Sequence, residues 1–131
     1  MARHQGVIGS GGRLILVDSI TEITSADENA VVVSGSHGGQ SSAGYALQVP
    51  LRLVSFSDAG VGKDGAGIAA LARLQDHGVA AVAVAHTSAR IGDARDMWAH
   101  GTISHANAAA VAMGAVPGVL LRDVLLPLVD R

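Results

Sequence analysis

Three polar, glycine-containing segments hold most of the side chains in this sequence that could perform chemistry. They cover residues 34–39 (SGSHGG), 58–65 (DAGVGKDG) and 86–93 (HTSARIGD). Histidine, aspartate, serine and lysine side chains in such segments can exchange protons, attack a substrate or bind an anion. The residues that we assign to proton transfer or nucleophilic attack are Ser36, His37, Asp58 and His86.

The segment 34–39 approaches the nucleophile elbow G-x-S-x-G, with Ser34 in place of the first glycine. In this interpretation Ser36 is the nucleophile and His86 is its base. Asp58 or Asp93 then supplies the carboxylate that orients the histidine. This arrangement predicts a serine hydrolase.

The same segments also predict an anionic ligand. Glycine loops can expose backbone N–H groups that hold a phosphate or a carboxylate, and so form an anion cradle. Lys63, the only lysine beside eight arginines, and Arg90 add positive charge. The plain structural alternative pairs Lys63 with Asp64 and Arg90 with Asp93. The residues that we assign to substrate binding are Gly38, Gly39, Gly60, Gly62, Lys63, Ser88, Arg90, Asp93 and His105.

Two nucleotide-binding motifs are matched only in part. Gly60, Gly62 and Gly65 fit G-x-G-x-x-G, but the acidic residue expected about 20 residues later is missing. Asp64 stands where a P-loop has serine or threonine. The six histidines show no spacing typical of a zinc site. The sequence therefore leaves the cofactor unknown, and we assign no metal ligands.

Alternating strands and helices must bring these segments together. Short runs rich in valine, leucine and isoleucine predict strands at 13–20, 30–33, 51–57 and 79–85. The spacing of apolar residues predicts helices at 40–47, 65–76, 94–100, 104–113 and 119–129. Residues 1–12 are expected to form a loose start, residues 21–29 a connection, and Val116 the beginning of a last short strand.

This alternation predicts an α/β fold in a single domain over residues 1–131. We expect a small three-layer α/β/α sandwich, Rossmann-like or flavodoxin-like, with a mostly parallel sheet of about four or five strands. The first two strands can instead form a hairpin, which would make the sheet mixed. Ligands bind beyond the carboxyl ends of parallel strands, so Ser36, Asp58 and His86 should lie close together.

Composition excludes several classes of protein. A hydrophobic content of 49% excludes a disordered chain, and the absence of cysteine excludes a disulfide scaffold. The net charge of −2 argues against a nucleic-acid partner. No apolar run approaches the roughly 20 residues of a membrane helix, and no signal peptide is evident, so we expect a cytoplasmic protein without a membrane partner. Because so short a chain cannot bury all of its aliphatic side chains, we also expect a homo-oligomer.

Together these features predict a small cytoplasmic α/β enzyme. It would act on a small polar, anionic metabolite at the carboxyl edge of the sheet. Hydrolase, isomerase and lyase chemistry stay open. The alternative is a non-catalytic metabolite-binding or oligomeric assembly module that uses the same glycine-rich anion cradle. Its subunit contacts would run through a stripe of apolar residues at 120–128.

Overall fold

A computed structural model of the protein describes residues 3–9 and 12–129. The strands are β1 (Arg3–Gly9), β2 (Gly12–Val17), β3 (Val31–His37), β4 (Leu53–Ser57), β5 (Ala80–Val84) and β6 (Ile103–Ala106). The α-helices are α1 (Gln40–Ala46), α2 (Ala69–Gln75), α3 (Ala94–His100), α4 (Ala108–Ala112) and α5 (Leu121–Val129). Short 3₁₀ helices cover Ile20–Glu22, Ser25–Asp27 and Lys63–Ile68.

The strands form one sheet in the order β1-β2-β3-β4-β5-β6. Strands β2 to β5 are parallel to one another, whereas the edge strands β1 and β6 are antiparallel to their neighbours. The prediction of an α/β fold with a mostly parallel sheet is therefore confirmed, although the described residues form six strands rather than four or five, because both edges carry an additional antiparallel strand. The hairpin alternative is wrong, because β2 and β3 pair in parallel with Leu14 opposite Val31. The sheet is mixed instead because its two edge strands, β1 and β6, run antiparallel to their neighbours.

The sequential strand order decides where the helices lie. Right-handed crossovers in a sheet that grows in one direction all fall on the same face. Accordingly, the segments that join β2 to β5 contribute to one buried cluster. This cluster contains Ile20, Ala43 of α1 and Leu74 of α2, packed with alternate strand residues such as Ile15 and Val32.

The chain after β5 covers the remaining strand residues. A second buried cluster joins Leu14 and Val31 to Met97 of α3 and to Leu121 and Leu125 of α5. The apolar stripe of α5 thus packs into the core of its own chain. Subunit contacts through this stripe would require those side chains to leave the core. No helix within residues 3–9 and 12–129 has the length and hydropathy needed to cross a membrane.

The Rossmann-like or flavodoxin-like subclass is not confirmed. Both of those folds have a strand order that reverses direction, and their ligands bind at the reversal. The order found here has no reversal among the described strands. A site at this sheet edge must therefore be formed by the segments that follow adjacent strands, rather than by a crevice between two diverging crossovers.

Residues 3–9, within the segment expected to be a loose start, form the edge strand β1. Glycines in this region favoured an irregular chain, but pairing with β2 and one ion pair outweigh them. The Arg3 guanidinium donates two hydrogen bonds, at 2.7 and 2.5 Å, to the fully buried carboxylate of Asp27. Residues 1, 2, 10 and 11 of the same segment lie outside the described residues.

The predicted helix at 104–113 is wrong in its first part, where β6 pairs with β5. Asn107 causes the difference, because its Oδ1 accepts from Ala110 N at 3.0 Å and so begins α4 at residue 108. The same oxygen accepts from Ala81 N at 3.0 Å, which ties this cap to β5. The strand expected from Val116 is absent from the described chain. Only an isolated bridge between Thr102 and Leu120 forms before α5.

Candidate functional site

The three polar segments meet at one edge of the sheet. Gly38 N donates to Ser57 O at 3.0 Å, which joins the end of β3 to the end of β4. Asp58 N donates to Val84 O at 2.8 Å and joins β4 to β5 in the same way. The segment after β5 also reaches back to β3, where Gly92 N donates to Gly35 O at 2.7 Å. The structure thus assembles the segments that the sequence placed beyond the carboxyl ends of the strands.

A contact between Asp58 and His86 lies at this edge. Oδ1 of Asp58 accepts a hydrogen bond from Nδ1 of His86 at 3.0 Å. The same oxygen accepts from His86 N at 3.0 Å and from Gly60 N at 2.8 Å. The Asp58 side chain is only 6% exposed, whereas the His86 side chain is 56% exposed. A buried carboxylate therefore orients an imidazole that solvent can reach.

Hydrogen bonds keep Asp58 ionised despite its burial. Burial alone raises the pKa of this carboxyl, but donors around it reverse the effect. The Gly60 amide, the Ser104 hydroxyl and the amide and ring of His86 together hold the pKa of Asp58 below its ordinary value. An ionised Asp58 must accept, so Nδ1 of His86 carries the proton of this bond. Nε2 is then the nitrogen that can take a proton from a ligand.

The segment after Asp58 has an unusual backbone. Ala59, Val61 and Asp64 have φ values of 51°, 67° and 56°, which L-residues with side chains rarely adopt. Gly67 locks the segment by donating to Val61 O at 2.6 Å. A Cβ at Gly67 would lie 2.2 Å from the Asp58 carbonyl oxygen, so only glycine fits there. Such conformations cluster at functional sites, where the surrounding structure enforces them.

A cavity of about 220 Å³ opens beside the imidazole. Its lining consists of His86, Thr87, Ser88, Ala89, Arg90 and Asp96. The Arg90 side chain is 83% exposed, and its guanidinium is 4.0 Å from the Asp93 carboxylate. Asp96 accepts from Arg90 N and from the ring of His100, and both bonds lower the pKa of Asp96. The cavity thus combines an oriented imidazole with a weakly paired guanidinium.

Ser88, in the lining of this cavity, and the nearby Asp93 both bond the backbone. Ser88 Oγ donates to Ala85 O at 2.7 Å and accepts from Thr102 N at 2.9 Å. Asp93 caps α3 by accepting from Asp96 N at 2.9 Å. Both side chains are therefore engaged with the backbone, although both were assigned to substrate binding from the sequence.

Ser36 and His37 have local partners. Ser36 Oγ accepts from Ile20 N at 3.0 Å, and His37 Nδ1 accepts from Gly39 N at 3.1 Å. Ser36 also lies inside β3 rather than on the sharp turn that a nucleophile elbow requires. In the described part of the chain, no hydrogen bond joins Ser36 to His86. The structure therefore brings together the base and the carboxylate of the predicted triad, without the nucleophile.

The glycine amides differ from the expected anion cradle, because each already donates within the protein. The acceptors are Ser57 O for Gly38, His37 Nδ1 for Gly39, Asp58 Oδ1 for Gly60 and Gly60 O for Gly62. These bonds build the segments instead of leaving the amides for a ligand. The exposed side chains of Lys63 and Arg90 are positively charged groups that a ligand at this edge could still contact.

Sequence analysis missed one residue that acts on the pair, namely Ser104. Its hydroxyl donates to Ala83 O at 3.3 Å and helps to lower the pKa of Asp58. His105 was assigned to substrate binding, but its Nδ1 lies 3.0 Å from Ser104 Oγ. The helix predicted over 104–113 concealed the positions of both residues. Asn107 ahead of an alanine run was the signal that a helix begins only after it.

Comparisons with models of protein families, with curated proteins and with solved structures found no match. Within residues 3–9 and 12–129, no three His, Asp or Glu side chains are grouped as ligands for a metal ion. The fold and the site define an α/β protein with an aspartate–histidine pair at the carboxyl edge of its sheet. Its activity must be argued from that geometry.

Proposed function

We propose that this protein is a small cytoplasmic enzyme that transfers a proton on a small polar, anionic metabolite. His86 is the base, and Asp58 holds it in position. The observation that carries the proposal is the 3.0 Å contact between His86 Nδ1 and Asp58 Oδ1. This contact joins a buried carboxylate to an accessible imidazole in the wall of a cavity.

The geometry favours general acid–base chemistry. Histidine is the side chain that most readily exchanges protons near neutral pH, and a carboxylate on Nδ1 leaves Nε2 free to act. A serine hydrolase is less well supported, because Ser36 Oγ is engaged with Ile20 N. Isomerisation and elimination, which begin with removal of a proton from the substrate, are therefore the favoured reaction classes.

The charges and size of the cavity suggest the kind of substrate. Arg90 presents an exposed guanidinium on the cavity wall, and a guanidinium binds carboxylate or phosphate through two parallel hydrogen bonds. Lys63 adds a second exposed cation on the neighbouring segment. A volume of about 220 Å³ is smaller than that of pockets for drug-sized ligands. These features favour a small carboxylate or phosphate compound over a dinucleotide.

We infer a three-layer α/β/α sandwich as the scaffold of this site. Two buried clusters, on alternate residues of the same strands, support this inference. Packing on both faces would fix the strand ends that carry Asp58 and His86, and catalytic groups on a fixed scaffold keep their geometry. The homo-oligomer expected from composition stays a prediction.

A ligand screen followed by a turnover assay tests the proposal. Thermal unfolding would be recorded with a panel of small carboxylates and phosphates, and each stabilising compound would be followed by NMR for conversion. We expect one of them to be consumed by the wild type. His86→Ala should lower that turnover by at least about 100-fold, since acid–base groups contribute about 10²–10⁴-fold. Arg90→Ala should raise KM more than it lowers kcat.

His77→Ala provides the matched control. Its Nδ1 contacts Arg73 O just after α2, ahead of the amino end of β5, so its loss should leave turnover unchanged. Unchanged turnover in His86→Ala would refute the role of His86. Stabilisation by compounds that are never consumed would identify a metabolite-binding module, the alternative expected from the sequence.

A further inference from the structure

The cavity beside His86 carries two opposite charges whose side chains do not pair with each other. Arg90 and Asp96 both belong to its lining. Asp96 accepts from the backbone N of Arg90 at 2.8 Å, and in the described part of the chain no ion pair joins its carboxylate to the Arg90 guanidinium. That guanidinium lies 4.0 Å from the Asp93 carboxylate. The wall therefore offers a ligand both a cation and an anion.

The Asp96 carboxylate keeps bonding capacity for such a ligand. Its Oδ2 accepts from Arg90 N, and its Oδ1 accepts from Nδ1 of His100 at 2.9 Å. A carboxylate offers about four acceptor positions, so these bonds leave some unused. The amide is neutral and the ring is charged only when protonated, so neither cancels the charge as a lysine or an arginine would. The Asp96 side chain is 24% exposed, which leaves it within reach from the cavity.

We propose that this cavity binds a small amino acid, with the carboxylate of the ligand on Arg90 and its ammonium group on Asp96. A guanidinium holds a carboxylate through two parallel hydrogen bonds, and bonds between charged groups are the stronger ones. A compound with both groups on one carbon suits a cavity of about 220 Å³. The inference rests on the proposed function, and it narrows the substrate to carboxylates with a neighbouring ammonium group. His86, in the same lining, stays the base.

Pairs of compounds that differ only at the ammonium group test this inference. Alanine, serine, aspartate and glutamate, as racemates, would each be compared with the acid in which a hydroxyl replaces that group, namely lactate, glycerate, malate and 2-hydroxyglutarate. Binding would be followed by ¹⁵N NMR of the backbone amides, which requires no turnover. We expect at least one amino acid to shift the amides of the lining residues. It should bind about tenfold more tightly than its hydroxy partner, the effect of one hydrogen bond between charged groups.

Substitutions assign the preference to Asp96. Asp96→Asn removes the charge but keeps an oxygen that can accept from Arg90 N. It should abolish the preference for the amino acid and leave the affinity for the hydroxy acid unchanged or higher, because a charge that repels the carboxylate is gone. His100→Ala removes a partner of Asp96 without removing its charge, so the preference should persist. Asp76→Asn, the same change just after α2, should alter neither affinity.

Several results would overturn the inference. They are equal or tighter binding of the hydroxy acids by the wild type, no binding of any of the four amino acids, and shifts confined to amides outside the lining. A preference that persists in Asp96→Asn, or an equal weakening of both partners, would also overturn it. Should Asp96→Asn fail to fold, Asp96→Ser, whose hydroxyl can accept from Arg90 N, replaces it under the same criteria.

A turnover assay keeps the two proposals apart. An amino acid that binds as expected but is never converted would refute the proposed function and leave the inference on the ligand standing. Conversion of a hydroxy acid, without binding of any amino acid, would support the enzyme and overturn the inference.

Discussion

Replacing Asp58 by two different residues separates two contributions of its side chain. One is the set of hydrogen bonds that Oδ1 accepts from nearby amides. The other is the negative charge that the carboxylate presents to the His86 ring. Asp58→Asn keeps an oxygen where Oδ1 accepts from the amides of Gly60 and His86, but it removes the charge. Asp58→Ala removes both the oxygen and the charge. The difference between the two variants therefore measures the bonds, and the effect of Asn alone measures the charge.

The expected magnitudes follow from these contacts. Asp58→Ala leaves the Gly60 and His86 amides without their acceptor at a site where the carboxylate is 6% exposed. Each hydrogen bond to a charged group contributes at least about 1.5 kcal/mol, so the free energy of unfolding should fall by about 3 kcal/mol. Neutral bonds are roughly half as strong, so Asp58→Asn should cost about 1.5 kcal/mol.

Urea unfolding at a series of pH values provides the assay. Because the folded-state pKa of Asp58 is depressed, its contribution is present above the unfolded pKa of about 3.9 and is lost as the pH falls through the folded value. The stability gap between wild type and Asp58→Asn should therefore be largest at neutral pH and narrow below about pH 4. A gap that is independent of pH, or equal costs for Asn and Ala, would refute the reasoning.

Two further substitutions test backbone contacts, one beside the site at Gly67 and one at the amino end of β5 at Asn107. Gly67→Ala would place a Cβ 2.2 Å from the Asp58 carbonyl oxygen and should lower the free energy of unfolding in urea by at least about 2 kcal/mol. Its control is Gly62→Ala, which has nothing within 4 Å of the added Cβ and should cost about 1 kcal/mol from its positive φ alone. Equal costs for the two variants would disprove the close contact at Gly67. Asn107→Ala removes four hydrogen bonds and should destabilise the protein by about 3 kcal/mol. Asn107→Asp keeps the acceptor oxygen but sets a second carboxylate oxygen against the carbonyls of Leu71 and Val79, so it should cost at least as much. A wild-type midpoint for Asn107→Ala would contradict its role as the link between α4 and β5.

The central strands could be predicted from the sequence because their residues are apolar on both faces. Val32 and Val33, adjacent along β3, belong to opposite buried clusters. Such continuous apolar runs are typical of parallel strands covered on both sides. The edge strands carry no such signal. Pairing with one neighbour and tertiary contacts, such as the Arg3–Asp27 ion pair, establish β1 despite its glycines.

The candidate site could be predicted only to the level of which segments meet. Parallel strands bring Asp58 and His86 to one edge, and the sequence contained that information. The directions in which the amides of the site point depend on backbone angles that are unfavourable for the residue types found there. Val61, with φ of 67°, is an example, because a β-branched residue is not expected in that conformation. The extra residue of β6 at Ser104, between the pairs Ala83–His105 and Val84–Ile103, could not be foreseen either, because it arises from pairing with β5.

The protonation pattern of the His86 ring tests the central claim most directly. Long-range ¹H–¹⁵N NMR at a pH where the ring is neutral distinguishes a proton on Nδ1 from one on Nε2. An ionised Asp58 that accepts from Nδ1 requires the Nδ1–H form in the wild type and a loss of that preference in Asp58→Ala. A ring protonated on Nε2, with the same pattern in both proteins, would contradict a base held by Asp58.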